Sequence, residues 1–287
     1  MTKLCVAAIQ MQSTRDPERN CADMIAMVRE AAAKGAEYIQ TPEMTGLLVR
    51  DRAEMMRNVR KQGNDKIVAA ACGLALELGV YLHIGSTAIL RDDGKIANRA
   101  FLFGPDGSLI TTYDKIHMFD VDLDNGESWR ESATYEPGAR AVVAGLPFGK
   151  LGFAICYDVR FAHLFHEEAL AGAEILTAPA AFTKQTGEAH WHSLQRARAI
   201  ENGAFMVTAA QAGLHEDGRE TFGHSMVVDP WGKIVAEAGG EGAEVIHARI
   251  DLSDVAQARK KIPNLKNARA FSVEHVTLAA AEGRQVA

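Results

Sequence analysis

The chain predicts an α/β fold in which sheets are covered by helices as a layered sandwich, built from two pseudo-equivalent halves. Two observations carry this. Apolar strand-like runs alternate with helical patterns and end in late hairpins. Three segments also recur in the same order. Leu4-Cys5-Val6-Ala7-Ala8-Ile9 resembles Leu151-Gly152-Phe153-Ala154-Ile155-Cys156. Gly35-Ala36-Glu37-Tyr38-Ile39-Gln40-Thr41-Pro42 resembles Gly172-Ala173-Glu174-Ile175-Leu176-Thr177-Ala178-Pro179. Phe103-Gly104-Pro105-Asp106-Gly107 resembles Val228-Asp229-Pro230-Trp231-Gly232. The offset between partners shrinks along the chain, so the first half carries the extra residues. The period is too long for a solenoid and points to two related half-domains.

Each element has a local reason. The run from Leu4 to Ile9 is a strand. Residues 20–34 form a helix with Met24, Met27, Val28 and Ala31 at helical spacing. Gly35 falls where a helix C-cap is expected, and Gly172 does the same after a helix over residues 162–171. Each following strand ends in a proline, which strand ends tolerate. Residues 65–78 form a further helix. Asp92-Asp93-Gly94 and Pro105-Asp106-Gly107 are turn signals between strands. With no low-complexity linker, residues 1–270 read as one domain. Residues 271–287 read as a C-terminal tail, polar and Ala-rich, placed to pack on a partner subunit or to fray.

Bulk properties narrow the function. The chain has 287 residues, 47% apolar and 24% charged, with a net charge of −6. These are the values of an ordinary globular protein. The absence of a Lys/Arg-rich block speaks against nucleic acid or an anionic membrane surface as partner. Cys5, Cys21, Cys72 and Cys156 show no paired spacing, as expected in a reducing compartment. Met1-Thr2-Lys3-Leu4 leads straight into a strand, and no apolar stretch has membrane-spanning length. A cytoplasmic protein is expected.

Three side chains stand out. Cys156 ends an apolar run just before a helical pattern. Backbone N–H groups and a helix dipole at such a turn would favour the thiolate, although a small core cysteine is the common alternative. Glu43 follows Thr41-Pro42, where the other half has Ala180, so the fold pattern does not demand the acid. Lys115, in Tyr113-Asp114-Lys115-Ile116-His117, is either a surface lysine or a cation fixed beside an apolar-aromatic stretch. His163 with His166, and His190 with His192, lack a companion Cys or acid at zinc spacing. They read as ordinary helix and loop histidines, so no metal and no cofactor is expected. Arg196 and Arg198 read as structural, with Glu201 in pairing reach of Arg198.

Taken together, Glu43 in Thr-Pro-Glu, Lys115 in Tyr-Asp-Lys-Ile-His and Cys156 in Ile-Cys-Tyr-Asp-Val-Arg-Phe resemble the Glu-Lys-Cys triad of the nitrilase superfamily of carbon–nitrogen hydrolases. The resemblance covers nearly the whole chain. It implies a four-layer α-β-β-α sandwich, a small-molecule amide substrate, and homodimers or larger homo-oligomers. It also implies hydrolysis through a thioester. Cys156 would be the nucleophile and Glu43 the proton acceptor. Lys115 and a backbone N–H near Tyr157 would hold the oxyanion. Glu131 matches a second glutamate that many members place beside the lysine.

Residues 181–191 resemble the Thr-Gly-x-Ala-His-Trp loop of the branch that holds deaminated-glutathione amidases and ω-amidases. Ala209-Ala210-Gln211-Ala212-Gly213-Leu214-His215 leans towards the former. The expected reaction cleaves deaminated glutathione to 2-oxoglutarate and cysteinylglycine. The candidate substrate contacts are Tyr157, Arg160, Lys184, Thr186, His190 and Trp191. Phe161-Ala162-His163 departs from the usual Phe-Pro-Glu and alters the helix start after the nucleophile. The alternatives are 2-oxoglutaramate, an N-carbamoyl amino acid, a nitrile, or a non-catalytic scaffold. Lipid acyl transfer is disfavoured by the lack of a membrane segment.

Overall fold

A computed structural model of the chain describes residues 3–123, 126 and 128–277. The first half runs β1 (Lys3–Gln10), α1 (Pro17–Ala33), β2 (Tyr38–Gln40), α2 (Arg52–Asn58), α3 (Lys66–Leu78), β3 (Tyr81–Leu90), β4 (Ile96–Phe103) and β5 (Leu109–Asp114). A small hairpin, β6 (Asp120–Asp122) and β7 (Ser128–Arg130), leads across to the second half. That half runs β8 (Val143–Leu146), β9 (Gly149–Gly152), α4 (Ala162–Leu170), β10 (Ile175–Thr177), α5 (Lys184–Asn202) and β11 (Phe205–Thr208). It continues through β12 (Ala212–Leu214), β13 (Glu220–Phe222), β14 (Met226–Val228), β15 (Ile234–Glu237), β16 (Glu244–Asp251), α6 (Ser253–Lys261) and α7 (Asn264–Asn267).

The two halves build matching sheets. One is ordered β16-β1-β2-β3-β4-β5 and the other β8-β9-β10-β11-β14-β15. In each, three central parallel strands are flanked by one antiparallel strand on one side and an antiparallel pair on the other. The recurring segments occupy equivalent places: Tyr38–Gln40 and Ile175–Thr177 are the second parallel strands. Alternation along β1 sorts its side chains between layers. Leu4, Val6 and Ala8 join a core shared with Phe153, Ile175 and Leu176 of the other sheet. Ala7 and Ile9 pack instead with Met24 and Val28 of α1 and Ala71 of α3. Leu164 and Phe165 of α4 and Trp191 of α5 cover the second sheet. The architecture is the α-β-β-α sandwich. At Gly85 the halves come so close that a Cβ would lie 2.1 Å from the Thr41 carbonyl oxygen and 2.5 Å from Pro179 Cβ.

Several boundaries differ from expectation. Helix α1 begins at Pro17, because Asp16 caps it by accepting from the Glu18 N–H. Strand β9 stops at Gly152, and Phe153 N–H then bonds the Val142 carbonyl and the buried Glu168 carboxyl. The 181–191 segment is a loop only as far as Thr183, after which it is the start of α5. Past α7, residues 268–277 have no regular secondary structure, and Phe271, Val273 and Val276 are exposed. The remainder of the tail lies outside the described residues. No described helix is long and apolar enough to cross a membrane.

His83 makes the fold pH-sensitive. It is fully buried between the sheets, with Nδ1 2.7 Å from the Tyr38 hydroxyl and Nε2 without a hydrogen-bond partner among the described residues. Burial pushes its pKa down to about 3. The unfolded chain takes up this proton near pH 6.5, as an ordinary imidazole does. Stability is therefore full above that pH and lost as pH falls towards the folded value, by up to ~1.4 kcal/mol per pH unit. Urea unfolding between pH 7 and 5 should show a shallower fall for His83→Gln than for the native chain. Identical slopes would mean His83 is not the group responsible.

Candidate active site

The carboxyl ends of the central strands of both sheets converge on one cavity, the usual place for a ligand in α/β sheets. Glu43 comes just after β2, Lys115 just after β5, and Cys156 after β9, where it opens a short 3₁₀ turn, Cys156–Arg160. Glu131 opens another, Glu131–Ala133, after β7. Two non-glycine residues here have left-handed backbones, Met44 (φ 57°) and Cys156 (φ 50°). Such strain persists only where the surroundings enforce it. At Cys156 the enforcement is visible: its N–H donates to the Pro179 carbonyl at 2.9 Å. Buried Asp158 accepts from Ile155 N–H (2.9 Å), the Tyr113 hydroxyl (2.7 Å), His117 N–H (2.9 Å) and the His117 ring (2.6 Å). It ties the cysteine turn to the segment carrying Lys115.

The structure brings Glu43, Lys115, Glu131 and Cys156 together. Lys115 Nζ donates to Glu43 Oε1 at 3.0 Å and to the two Glu131 oxygens at 2.9 and 2.8 Å. The Asn98 side-chain amide reaches both acids, at 2.9 Å to Glu43 and 3.2 Å to Glu131. Ala181 N–H donates to Glu43 Oε2 at 2.7 Å and Phe119 N–H to Glu131 Oε2 at 2.7 Å. The Cys156 thiol interacts with Glu43, and that interaction is one of the causes lowering the Glu43 carboxyl. Lys115 is 2% exposed, Glu43 3% and Cys156 8%, so the interactions among these three are little screened by bulk water.

Charge states follow from that burial. Desolvation alone would lower the Lys115 ammonium, but Glu131 and Glu43 outweigh it and raise it well above its usual value. Desolvation alone would raise the Glu43 carboxyl, but the Lys115 charge and the hydrogen bonds from Lys115, Cys156 and Asn98 bring it below its usual value. Burial, and then the adjacent Glu43 charge, push the Cys156 thiol well above its usual value. This direction runs against the thiolate-favouring influence expected of the turn and agrees with Glu43 as acceptor of a thiol proton. Helix α4 starts only at Ala162, six residues past the thiol, and the cysteine's own N–H is occupied by the Pro179 carbonyl. These directions favour a thiol over a thiolate beside a carboxylate, with a lysine cation held next to both.

The cavity has a volume of about 220 Å³. Cys156, Glu43 and Lys115 line it, together with Tyr157 and Thr186 of the expected substrate contacts. The other four expected contacts do not line it. Trp191 is fully buried, packed at a tilt against Phe182, and donates to the His224 carbonyl, because α5 turns it inward. Lys184 is exposed and paired with Glu220. His190 is exposed and 3.3 Å from Arg160. Arg160 lies 5.2 Å from the Phe182 ring centre and 5.9 Å from that of Tyr157, outside the cavity.

Three other residues shape the cavity's cationic side. The guanidiniums of Arg50 and Arg219 lie 4.5 and 4.6 Å from the Trp129 ring centre. Arg219 reaches Asp217 only at 3.5 Å, and its buried Nε has no hydrogen-bond partner among the described residues. Sequence reasoning missed Asn98 as well as these. Asn98 had a signal: a polar residue inside the apolar run of β4, and a buried polar side chain is the informative exception in such a strand.

Residues 5–260 match the family described as carbon-nitrogen hydrolase. The chain is 37% identical over 270 residues to a deaminated glutathione amidase of Yersinia enterocolitica, covering 93% of each protein. It is also 37% identical over 281 residues to an omega-amidase of Mus musculus, covering 96% of this chain and 99% of that one. Among solved structures, Nit3 of Saccharomyces cerevisiae, a member of branch 10 of the nitrilase superfamily, superposes with a TM-score of 0.83 at 30% identity, covering 91% of this chain and 95% of that one.

Proposed function

We propose, from the premise that the chain belongs to the carbon–nitrogen hydrolase family and is an amidase of non-peptide C–N bonds, that Cys156 cleaves a small carboxylate-bearing amide through a thioester. Glu43 takes the thiol proton as sulfur attacks the amide carbon. Lys115 neutralises the developing oxyanion, and Glu131 keeps the ammonium aimed. Collapse breaks the C–N bond, and Glu43 returns the proton to the departing amine. Water, deprotonated by Glu43, then attacks the thioester. The acid leaves and the thiol recovers its proton. A free thiol is needed throughout, which fits the reducing, cytoplasmic setting expected from the cysteine pattern.

The best substrate reading is deaminated glutathione, cleaved to 2-oxoglutarate and cysteinylglycine. The observation that carries it is the pair of guanidiniums, Arg50 and Arg219, both against the Trp129 ring beside the cavity, since guanidinium forks suit carboxylates and deaminated glutathione brings two where 2-oxoglutaramate brings one. The second reading, 2-oxoglutaramate, is favoured by the mouse omega-amidase, which is equally identical and matched over nearly its whole length. The test compares kcat/KM on the two amides for the native enzyme, Cys156→Ala and Arg219→Met. Deaminated glutathione should be preferred, and Cys156→Ala should be inert on both. Arg219→Met should raise KM roughly 10–100-fold with kcat little changed, as for a lost ionic hydrogen bond made equally in ground and transition states. A preference for 2-oxoglutaramate would move the protein to the second reading, and no turnover of either would overturn both.

A further inference from the structure

On the outer face of the second sheet, His192, His224 and Glu237 come from three separate elements and aim at one point. His192 lies on α5, His224 just before β14, and Glu237 at the end of β15. His192 Nε2 is 2.7 Å and His224 Nδ1 2.8 Å from the same oxygen, Glu237 Oε1. One ligand atom from each residue lies within 4.8 Å of the others. We propose that these residues form a binding site for a divalent transition-metal ion of the Zn²⁺ class, separate from the amidase centre.

The donor set decides the class of ion. Two imidazole nitrogens and one carboxylate oxygen suit zinc, cobalt, nickel or copper, whereas magnesium and calcium prefer all-oxygen shells. With three protein ligands and side chains 28–38% exposed, the fourth position faces water. The ligands are held in place before any ion arrives. His224 has a left-handed backbone (φ 55°), its N–H donates to the Gly239 carbonyl, and its carbonyl accepts from the Trp191 indole. That fixes the direction of its side chain. The Phe222 ring lies 4.4 Å from the His224 ring and 5.9 Å from the His192 ring, limiting both. Inserting an ion requires each imidazole to present a lone pair where it now shares a proton with Glu237, and the carboxylate to draw back by about 0.5 Å so that all three ligands stand about 2 Å from the ion. The bound ion would clasp α5 to the β14–β15 edge. The first turn of α5 carries Thr186, a cavity residue, so the clasp would also steady that wall.

The test uses Co²⁺, whose ligand-field bands report the donors, on the native enzyme, on Glu237→Gln and on His192→Asn. The native enzyme should bind one equivalent with nitrogen–oxygen ligand-field bands and no thiolate charge-transfer band. Zn²⁺ should displace it and raise the melting temperature by a few degrees. Each variant should bind at least roughly tenfold more weakly and lose the thermal shift. Both substitutions conserve shape at a partly exposed site, and unchanged amidase turnover without metal would certify their fold. Native-like binding in the folded variants, or a spectrum dominated by thiolate, would overturn the proposal without touching the assignment of Cys156.

Discussion

Replacing Glu43 by glutamine lowers turnover by roughly 10²–10⁴-fold, the usual contribution of a positioned acid–base group, while the chain still folds. The fold survives because Lys115 keeps both oxygens of Glu131. The glutamine oxygen can still accept from Ala181 N–H, but its amide then faces Lys115 and Asn98, both donors, where a carboxylate oxygen stood. That mismatch destabilises by about 1–3 kcal/mol. A second readout separates proton transfer from mere disturbance. The Glu43 charge is one of the causes holding the Cys156 thiol high, after burial. Removing a neighbouring negative charge stabilises the thiolate, so the ultraviolet thiolate titration of the variant should shift to lower pH than in the native enzyme. The variant would thus hold more thiolate and work far more slowly. Turnover near the native rate would remove Glu43 from the chemistry. An unmoved titration would mean that burial and the remaining charges, not Glu43, set the thiol.

What the sequence showed and what it hid divide along a physical line. The paired sheets were legible because the same strand–glycine–proline pattern occurs twice, and Glu43 was legible because its counterpart is Ala180. The helical start of α5 was hidden behind Thr183 and Gly187, poor helix formers, although Thr183 is a natural N-cap residue and α5 then runs to Asn202. Trp191 looked like a substrate contact until the helical phase turned it into the core. Asp158 stood inside the quoted cysteine motif, but its partners Tyr113 and His117 lie 45 and 41 residues away, and no local pattern announces such a contact. Arg219 follows the turn between β12 and β13, where sequence alone gives a charge but not the ring it lies against. The upward push on the thiol was hidden for the same reason: burial is a property of the assembled site, not of the turn that presents it.

Lys115→Met is expected to damage both activity and stability, and pH separates the two. Loss of the oxyanion cation should reduce kcat by about 10²–10³-fold or more. Loss of the charge between Glu43 and Glu131 leaves two acids in a buried site with only Asn98 and backbone N–H groups between them, which should destabilise by about 3–5 kcal/mol at neutral pH. The pH dependence then changes sign. In the native enzyme the Glu43 carboxyl is lowered on folding, so its contribution is present above the ordinary carboxylate range and is lost as pH falls through the folded value. In the variant, repulsion and burial should raise one of the two carboxyls above its unfolded value. Its contribution is then present at low pH and lost as pH rises through that value. The stability deficit should therefore be large at pH 8 and shrink at pH 5, as measured by urea unfolding of both proteins at each pH. An equal deficit at the two pH values would mean that Lys115 supports the fold through its packed side chain, and that the two carboxylates do not depend on its charge.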